Sequence, residues 1–336
     1  MKAAIYLGKG QVEIRELSDP VCGDNDVIIK NIYSSICGTD VAVYTQGPNT
    51  GHKITVGGEF GHETISRIVE VGKNITDFQV GERVYPYPLY AKNDTRRAGT
   101  IGGFSEYILV PKARRDHSLY AVPEEIPDRL ACLIEPFTVG CRAARRSQPQ
   151  KEEKAVVFGC GTIGLAAAVA LKYFGLEQVM LCDRSDFRLQ IAENLGFAIC
   201  NTDKENFIEA AGDYFQTAPS LTSKAPDIDC WIDAAGAESI LDSFMQHGKI
   251  ISRFVAVAVN NKPRQLDLLH MTYSQKSIIG SGGYFPEDVR DVMTIMASGK
   301  WDLESVITQE FSLEQISEAI RTAANPDKAL NVTIKF

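Results

Sequence analysis

No two cysteines in the chain are spaced as CxxC. The eight present, Cys22, Cys37, Cys132, Cys141, Cys160, Cys182, Cys200 and Cys230, are scattered, most of them inside apolar runs. That argues against a disulfide framework, and a small buried hydrophobe is the ordinary reading for each. No apolar run reaches about 18 residues, so no membrane-spanning helix is predicted. The N-terminal MKAAIYLGKG is too polar for the core of a signal sequence and reads as a first strand. Positive charge is not in excess: the net charge of -8 argues against nucleic acid or an anionic membrane surface as the main partner. Internal repeats and low-complexity tracts are absent. A reducing cytoplasm is the expected setting.

What is present fits a soluble globular chain: 44% hydrophobic and 23% charged residues, over a length that suggests about two domains. Residues 1 to about 115 are rich in short strand patterns, at Ala3 to Tyr6, Val12 to Arg15, Asp26 to Tyr33 and Thr64 to Val71, with turn signals at Asp24-Asn25 and Gly72-Lys73-Asn74. This half resembles a compact β barrel more than a parallel sheet. Residues 123–146 then read as a turn and a helix interrupted by Pro136, ending in Arg142, Arg145 and Arg146. Those arginines suit either a helix dipole or a phosphate. From Glu153 onward, strand patterns at 154–159, 178–182, 197–201, 228–234, 249–256 and 277–281 alternate with helix patterns at 162–174, 185–195, 204–216 and 237–246. That alternation predicts a doubly wound parallel sheet, with a loop at Ala218 to Pro226. Two helices follow, Glu287 to Ser298 and Leu313 to Ala324, the second with Ser312 as N-cap. The last strand pattern, Asn331 to Phe336, has no place in a six-stranded sheet and is expected to return to the first domain.

The stretch KAVVFGCGTIG, Lys154 to Gly164, carries the dinucleotide-binding glycine spacing between a strand and a helix. Gly159 permits the tight turn, Gly161 lets the backbone approach a pyrophosphate, and Gly164 lets helix and strand pack closely. Thr162 and Ile163 begin the helix, whose free N–H groups face the phosphates. Asp183 ends the next strand, nineteen residues past Gly164, where a carboxylate can accept hydrogen bonds from an adenosine ribose. The same carboxylate repels a 2′-phosphate, so NAD is preferred to NADP; Arg184 pulls the other way. Val257 follows a strand end on the cofactor side.

Two further segments stand out: Cys37-Gly38-Thr39-Asp40, and Gly57 to Glu63, GGEFGHE. A thiolate, an imidazole and nearby carboxylates suit zinc, although twenty-five residues separate Cys37 from His62 and each also has a plain structural reading. CGTD, GGEFGHE, GGFSEY (Gly102 to Tyr107), LIEP (Leu133 to Pro136) and GCGTIG, in that order over nearly the whole chain, resemble the zinc-dependent medium-chain alcohol dehydrogenases. The glutamate in LIEPFTVG places the resemblance nearest the sorbitol, threonine and butanediol dehydrogenase branch.

The resemblance implies an α/β fold: a GroES-like β-rich catalytic domain (1–146 and 285–336) around a Rossmann NAD-binding domain (147–284). It implies Cys37 and His62 as zinc ligands, Glu63 as a residue that can itself ligate zinc, and Glu135 as the remaining candidate, either directly or through water. Asp40 would hold the imidazole of His62, and Thr39 would contact the substrate oxygen and pass on its proton. Arg188 matches a position that contacts the adenosine ribose region in sorbitol dehydrogenase relatives. The implied reaction is oxidation of a secondary alcohol, a polyol, diol or sugar-like compound, to a ketone with hydride transfer to NAD. The alternatives are an NADPH-dependent reductase of the same fold and a non-catalytic dinucleotide-binding relative. Relatives are usually dimers or tetramers, so a homo-oligomer is expected, with a small-molecule alcohol or ketone as partner.

Two departures from the family are visible. Tyr85 to Ile101 has no cysteine where many members hold a structural zinc, so one catalytic zinc and no structural zinc is expected. Ala42 stands where many carry a relay histidine; water, Tyr44 or His52 are the substitutes at hand. Specificity is expected from loops at Tyr44 to Thr55, Tyr85 to Arg97 and Ser281 to Phe285. Arg96, Arg97, Arg114 and Arg115 read either as surface or as partners for an anionic substrate.

Overall fold

The nine-residue strand Val27–Ser35 is buried at almost every position, with Asn31, Ser34 and Ser35 among its buried residues. A strand covered on both faces must find partners for such polar groups inside the sheet. In the computed structural model, which describes residues 1–50, 54–91, 100–221, 223–260 and 262–336, it finds them on both sides. Glu63–Val71 runs antiparallel along one side, setting Ser35 opposite Glu63. Asn331–Lys335 and Tyr107–Val110 also pair with it antiparallel, Thr333 standing opposite Ser35. The amide of Asn31 donates to the carbonyls of Gly103 and Ser105 and its oxygen accepts from Thr64 and Ser66.

The resulting sheet has seven strands, from Ile307–Ser312 at one edge to Leu119–Ala121 at the other. A three-stranded sheet of Gln11–Glu16, Lys2–Gly8 and Gly58–Glu59 accompanies it. Helix Ile316–Ala323 lays Ile316, Ala319 and Ile320 into the core shared with Val332 and Ile334. Its start is tightened by a 3₁₀ turn, Leu313–Gln315, with Ser312 and Gln315 forming a capping box.

The second sheet is parallel and six-stranded: Ala198–Asn201, Gln178–Asp183, Lys154–Phe158, Cys230–Asp233, Arg253–Ala256 and Ser277–Gly280, in that spatial order. In order of sequence this is 3-2-1-4-5-6, the doubly wound arrangement. Helix Thr162–Tyr173 packs against it so closely that a side chain on Gly164 would begin 1.7 Å from the Gly159 carbonyl oxygen.

Several local expectations change. Pro136 does not interrupt the helix Ile134–Arg146; it lies in the first turn, where its missing N–H has no intrahelical partner to lose. Ala218 to Pro226 is not a plain loop, because Thr217–Pro219 and Lys224–Pro226 pair as a short antiparallel ribbon. Helix Leu268–Ser274 and strand Ile307–Ser312 were not anticipated; the helix is announced by Asp267, whose side chain accepts from the His270 amide.

The chain forms two compact units, Met1–Glu135 with Met296–Phe336, and Pro136–Ile295. The boundaries between these units fall inside helices Ile134–Arg146 and Pro286–Ala297. Most of both helices is tied into the second unit. Gly140 seats against Ala166 and Ile163, and Arg142 and Arg145 pair with the buried Asp288. Those arginines therefore serve helix packing.

Gly164→Ala is expected to lower stability by at least about 1–3 kcal/mol, read as a fall in the urea midpoint at constant slope. An unchanged midpoint would contradict the close helix–strand contact.

Candidate metal centre and dinucleotide pocket

Cys37 caps the helix Gly38–Gln46, two residues beyond the end of Val27–Ser35. Its amide donates to Asp40 Oδ2 (3.0 Å), while the Asp40 amide returns a bond to the Cys37 carbonyl. CGTD is thus a helix start in which Asp40 is held in the first turn, fully buried.

His62 is fixed by contact between two glycine-bearing motifs. Gly61, at φ +87°, accepts from the Gly103 amide (2.8 Å) and the Thr100 hydroxyl (2.7 Å). The Phe104 amide donates to Phe60 (3.0 Å). A side chain on Gly103 would begin 2.9 Å from the His62 nitrogen, and one on Gly61 would strike the Phe104 ring at 2.7 Å. GGEFGHE and GGFSEY therefore need their glycines to lie backbone against backbone, and that contact orients His62. Glu63 begins the next strand, opposite Ser35, whose hydroxyl donates to its Oε2.

The outcome is that ligand atoms of Cys37, His62 and Glu63 lie within 4.8 Å of one another. Tetrahedral zinc sets its ligand atoms roughly 3.5 Å apart, so these atoms would draw closer around a bound ion. The donor set of thiol, imidazole and carboxylate is the one zinc accepts. Asp40 Oδ1 stands 4.0 Å from His62 Nδ1. That is ion-pair distance rather than a hydrogen bond; a carboxylate closing on Nδ1 would leave Nε2 for a metal. Glu135, the second residue of helix Ile134–Arg146, is buried nearby and acts electrostatically on both Cys37 and His62, but is not one of the three gathered ligands.

The charges explain why such a site calls for a cation. Burial pushes the Cys37 thiol well above its ordinary range, and Glu63, Asp40 and Glu135 push it further; only the Thr39 hydroxyl beside it acts the other way. Burial lifts Asp40 to about 6, with His62 opposing and Glu63 adding. Burial works against a charged His62, yet Asp40, Glu135 and Glu63 together outweigh it and raise its pKa. Bringing a divalent cation among these groups reverses the balance at the thiol, since coordination favours the thiolate.

In the second unit the predicted cofactor residues gather at the carboxyl ends of the strands. Gly159, at φ +99°, follows Lys154–Phe158; Thr162, Ile163 and Gly164 open the helix behind Gly161. A cavity of about 480 Å³ is lined by Gly159, Asp183, Arg184, Thr202, Asp203 and Phe207 among others. Asp183 is held rigidly: Oδ2 accepts from the Cys160 amide (2.7 Å), and Oδ1 from the amides of Arg184 (2.7 Å) and Ser185 (2.9 Å). The Arg184 side chain is turned to Asp203 at 2.8 Å. The Arg188 guanidinium comes within 3.8 Å of where a side chain on Gly161 would begin. Val257 follows Arg253–Ala256, its amide bonded to the Asp233 carbonyl, and does not line the cavity.

Other candidates sit elsewhere. Tyr44 is packed in the core, with Arg321 donating to its hydroxyl. Arg115 pairs with Glu82 and covers Phe78, and Arg114 contacts His117. His52, Arg96 and Arg97 lie outside the described residues. Sequence reasoning missed Ser35 and the Gly61–Gly103 contact; the signal for the latter was the pair of double glycines before Glu59 and Phe104.

Two family descriptions match this chain: the alcohol dehydrogenase GroES-like domain at residues 23–124 and the zinc-binding dehydrogenase at residues 162–298. The chain is 28% identical over 342 residues to (R,R)-butanediol dehydrogenase of Bacillus subtilis, covering 95% of this chain and 94% of that one. It is 27% identical over 351 residues to sorbitol dehydrogenase of the same organism, covering 96% and 93%. Among solved structures, the alcohol dehydrogenase RspB of Escherichia coli CFT073, complexed with cofactor NADH, superimposes with a TM-score of 0.84 at 24% identity, covering 100% and 99% of the two chains. With its glycine turn, its thiol, imidazole and carboxylate donors and these matches over both units, the chain belongs to the zinc-dependent medium-chain alcohol dehydrogenase family.

Proposed function

We propose that the chain oxidises a secondary alcohol of a diol or polyol to a ketone, with NAD as hydride acceptor and one zinc ion per chain. The observation that carries this reading is the gathering of Cys37, His62 and Glu63 within 4.8 Å from motifs twenty-five residues apart. Zinc, when bound, supplies a Lewis acid that lowers the pKa of a substrate hydroxyl. Cys37 and His62 would hold it, with Glu63 as the third donor and Asp40, 4.0 Å from Nδ1, orienting His62. Glu135 adds a carboxylate beside the same groups. Thr39 would accept the proton of the substrate hydroxyl while passing its own hydroxyl proton on to water, leaving an alkoxide from whose carbon hydride departs to NAD. The substrate class follows the relatives, whose names specify butanediol and sorbitol.

NAD is the favoured cofactor because Asp183 presents a carboxylate fixed by three backbone amides at the rim of the pocket. A 2′-phosphate brought there meets like charge. Arg184, the residue that would favour NADP, is paired with Asp203.

NADH formation is expected when the zinc-loaded protein meets a panel of butanediols, polyols, sugar acids and threonine, with a diol or polyol the best substrate. Thr39→Val is expected to lower kcat by about 10²-fold or more at unchanged zinc content. Failure of every alcohol on the panel would contradict the reading. Asp183→Ala should reduce the preference for NAD over NADP by roughly tenfold or more, measured as a ratio of kcat/KM values. A wild-type enzyme that already prefers NADP would overturn the cofactor assignment.

A further inference from the structure

The Glu63 carboxylate is 2% exposed and is reached by one buried hydroxyl, that of Ser35, which is itself fully buried. Ser35 is in turn 3.0 Å from the side-chain amide of Asn331, a residue 3% exposed on the C-terminal strand. The three side chains come from three adjacent strands: Glu63–Val71, Val27–Ser35 and Asn331–Lys335.

The chemistry of this row has a single direction. An ionised carboxylate only accepts hydrogen bonds, so the Ser35 hydroxyl must donate its one proton to Glu63. Its oxygen can then only accept, and what approaches it must be a donor: the Nδ2 group of Asn331. With Asn331 satisfying the oxygen, the Ser35 proton has one place to go. Ser35 engages Oε2 of Glu63 and leaves Oε1 outside that contact, while one carboxylate oxygen lies within 4.8 Å of the Cys37 and His62 ligand atoms.

We propose that Ser35 and Asn331 are positioning residues for the metal centre: the Asn331–Ser35 pair holds the Glu63 carboxylate in the orientation in which it serves as third donor. The C-terminal strand thereby completes a site whose ligands all lie in the first 63 residues. This rests on the reading of Cys37, His62 and Glu63 as the zinc site.

The test uses the full chain loaded with zinc or cobalt(II). Zinc affinity is measured by chelator competition, ligand geometry by the cobalt absorption spectrum, and integrity of the second unit by NADH fluorescence titration. Ser35→Ala is expected to weaken zinc 10–100-fold and to shift the cobalt spectrum, with NADH binding retained. Asn331→Ala is expected to shift both in the same direction by a smaller factor, and serves alone if Ser35→Ala does not fold. In a Glu63→Gln background, Ser35→Ala should cost nothing further, which a merely structural serine would not obey. Zinc affinity and cobalt spectra within twofold of wild type for both single variants would overturn the inference, as would full additivity with Glu63→Gln. If the wild-type chain takes up no zinc, or Cys37→Ser takes it up equally well, the underlying reading fails as well; wild-type binding lost in Cys37→Ser but untouched by Ser35→Ala sinks only the positioning role.

Discussion

The antiparallel pairing that sets Ser35 opposite Glu63 is the contact from which the metal centre is built. His62 precedes that strand by one residue and Cys37 lies two residues past the end of the other, so one register brings both ligands to the same end of the sheet. A slip of one residue would turn Glu63 to the opposite face of the sheet. The polar residues of the sheet guard against it. Thr64 and Ser66 both donate to the Asn31 oxygen in this register, and a shift would separate these buried groups.

The second constraint is electrostatic. Asp40, Glu63 and Glu135 are all buried around Cys37 and His62, and carboxylates withdrawn from water are unfavourable unless paired. Burial is the first cause of the raised pKa values of Cys37 and Asp40, with neighbouring carboxylates adding to it, whereas at His62 the carboxylates outweigh a burial that acts the other way. The cluster is an arrangement that hydrogen bonding from Ser35 and the Cys37 amide holds in place and that a dication relieves. The dinucleotide unit shows the same economy on a smaller scale: Asp183 is pinned by three amides.

The parallel sheet was legible strand by strand, because five of its six strands are short apolar runs closed by Gly, Asn or Asp; Arg253–Ala256, which runs on into Val257, begins four residues later than its pattern suggests. Cys37, His62 and Glu63 were legible as motif residues, and the structure adds their convergence. What could not be read depended on contacts distant in sequence. Ser35 and Asn331 are 296 residues apart, and nothing local distinguishes that serine from a strand-end hydroxyl. The ribbon at Thr217–Pro219 was hidden by prolines that usually argue against strands, and Pro136 looked like a break because only the helix start shows that it lies in the first turn.

X-ray absorption at the zinc edge of the metal-loaded chain tests the central claim, that Cys37, His62 and Glu63 converge on one ion. A single sulfur at about 2.3 Å with nitrogen and oxygen neighbours at about 2.0–2.1 Å is the expected shell. A shell of nitrogen and oxygen alone, or one with two or more sulfurs, would contradict it.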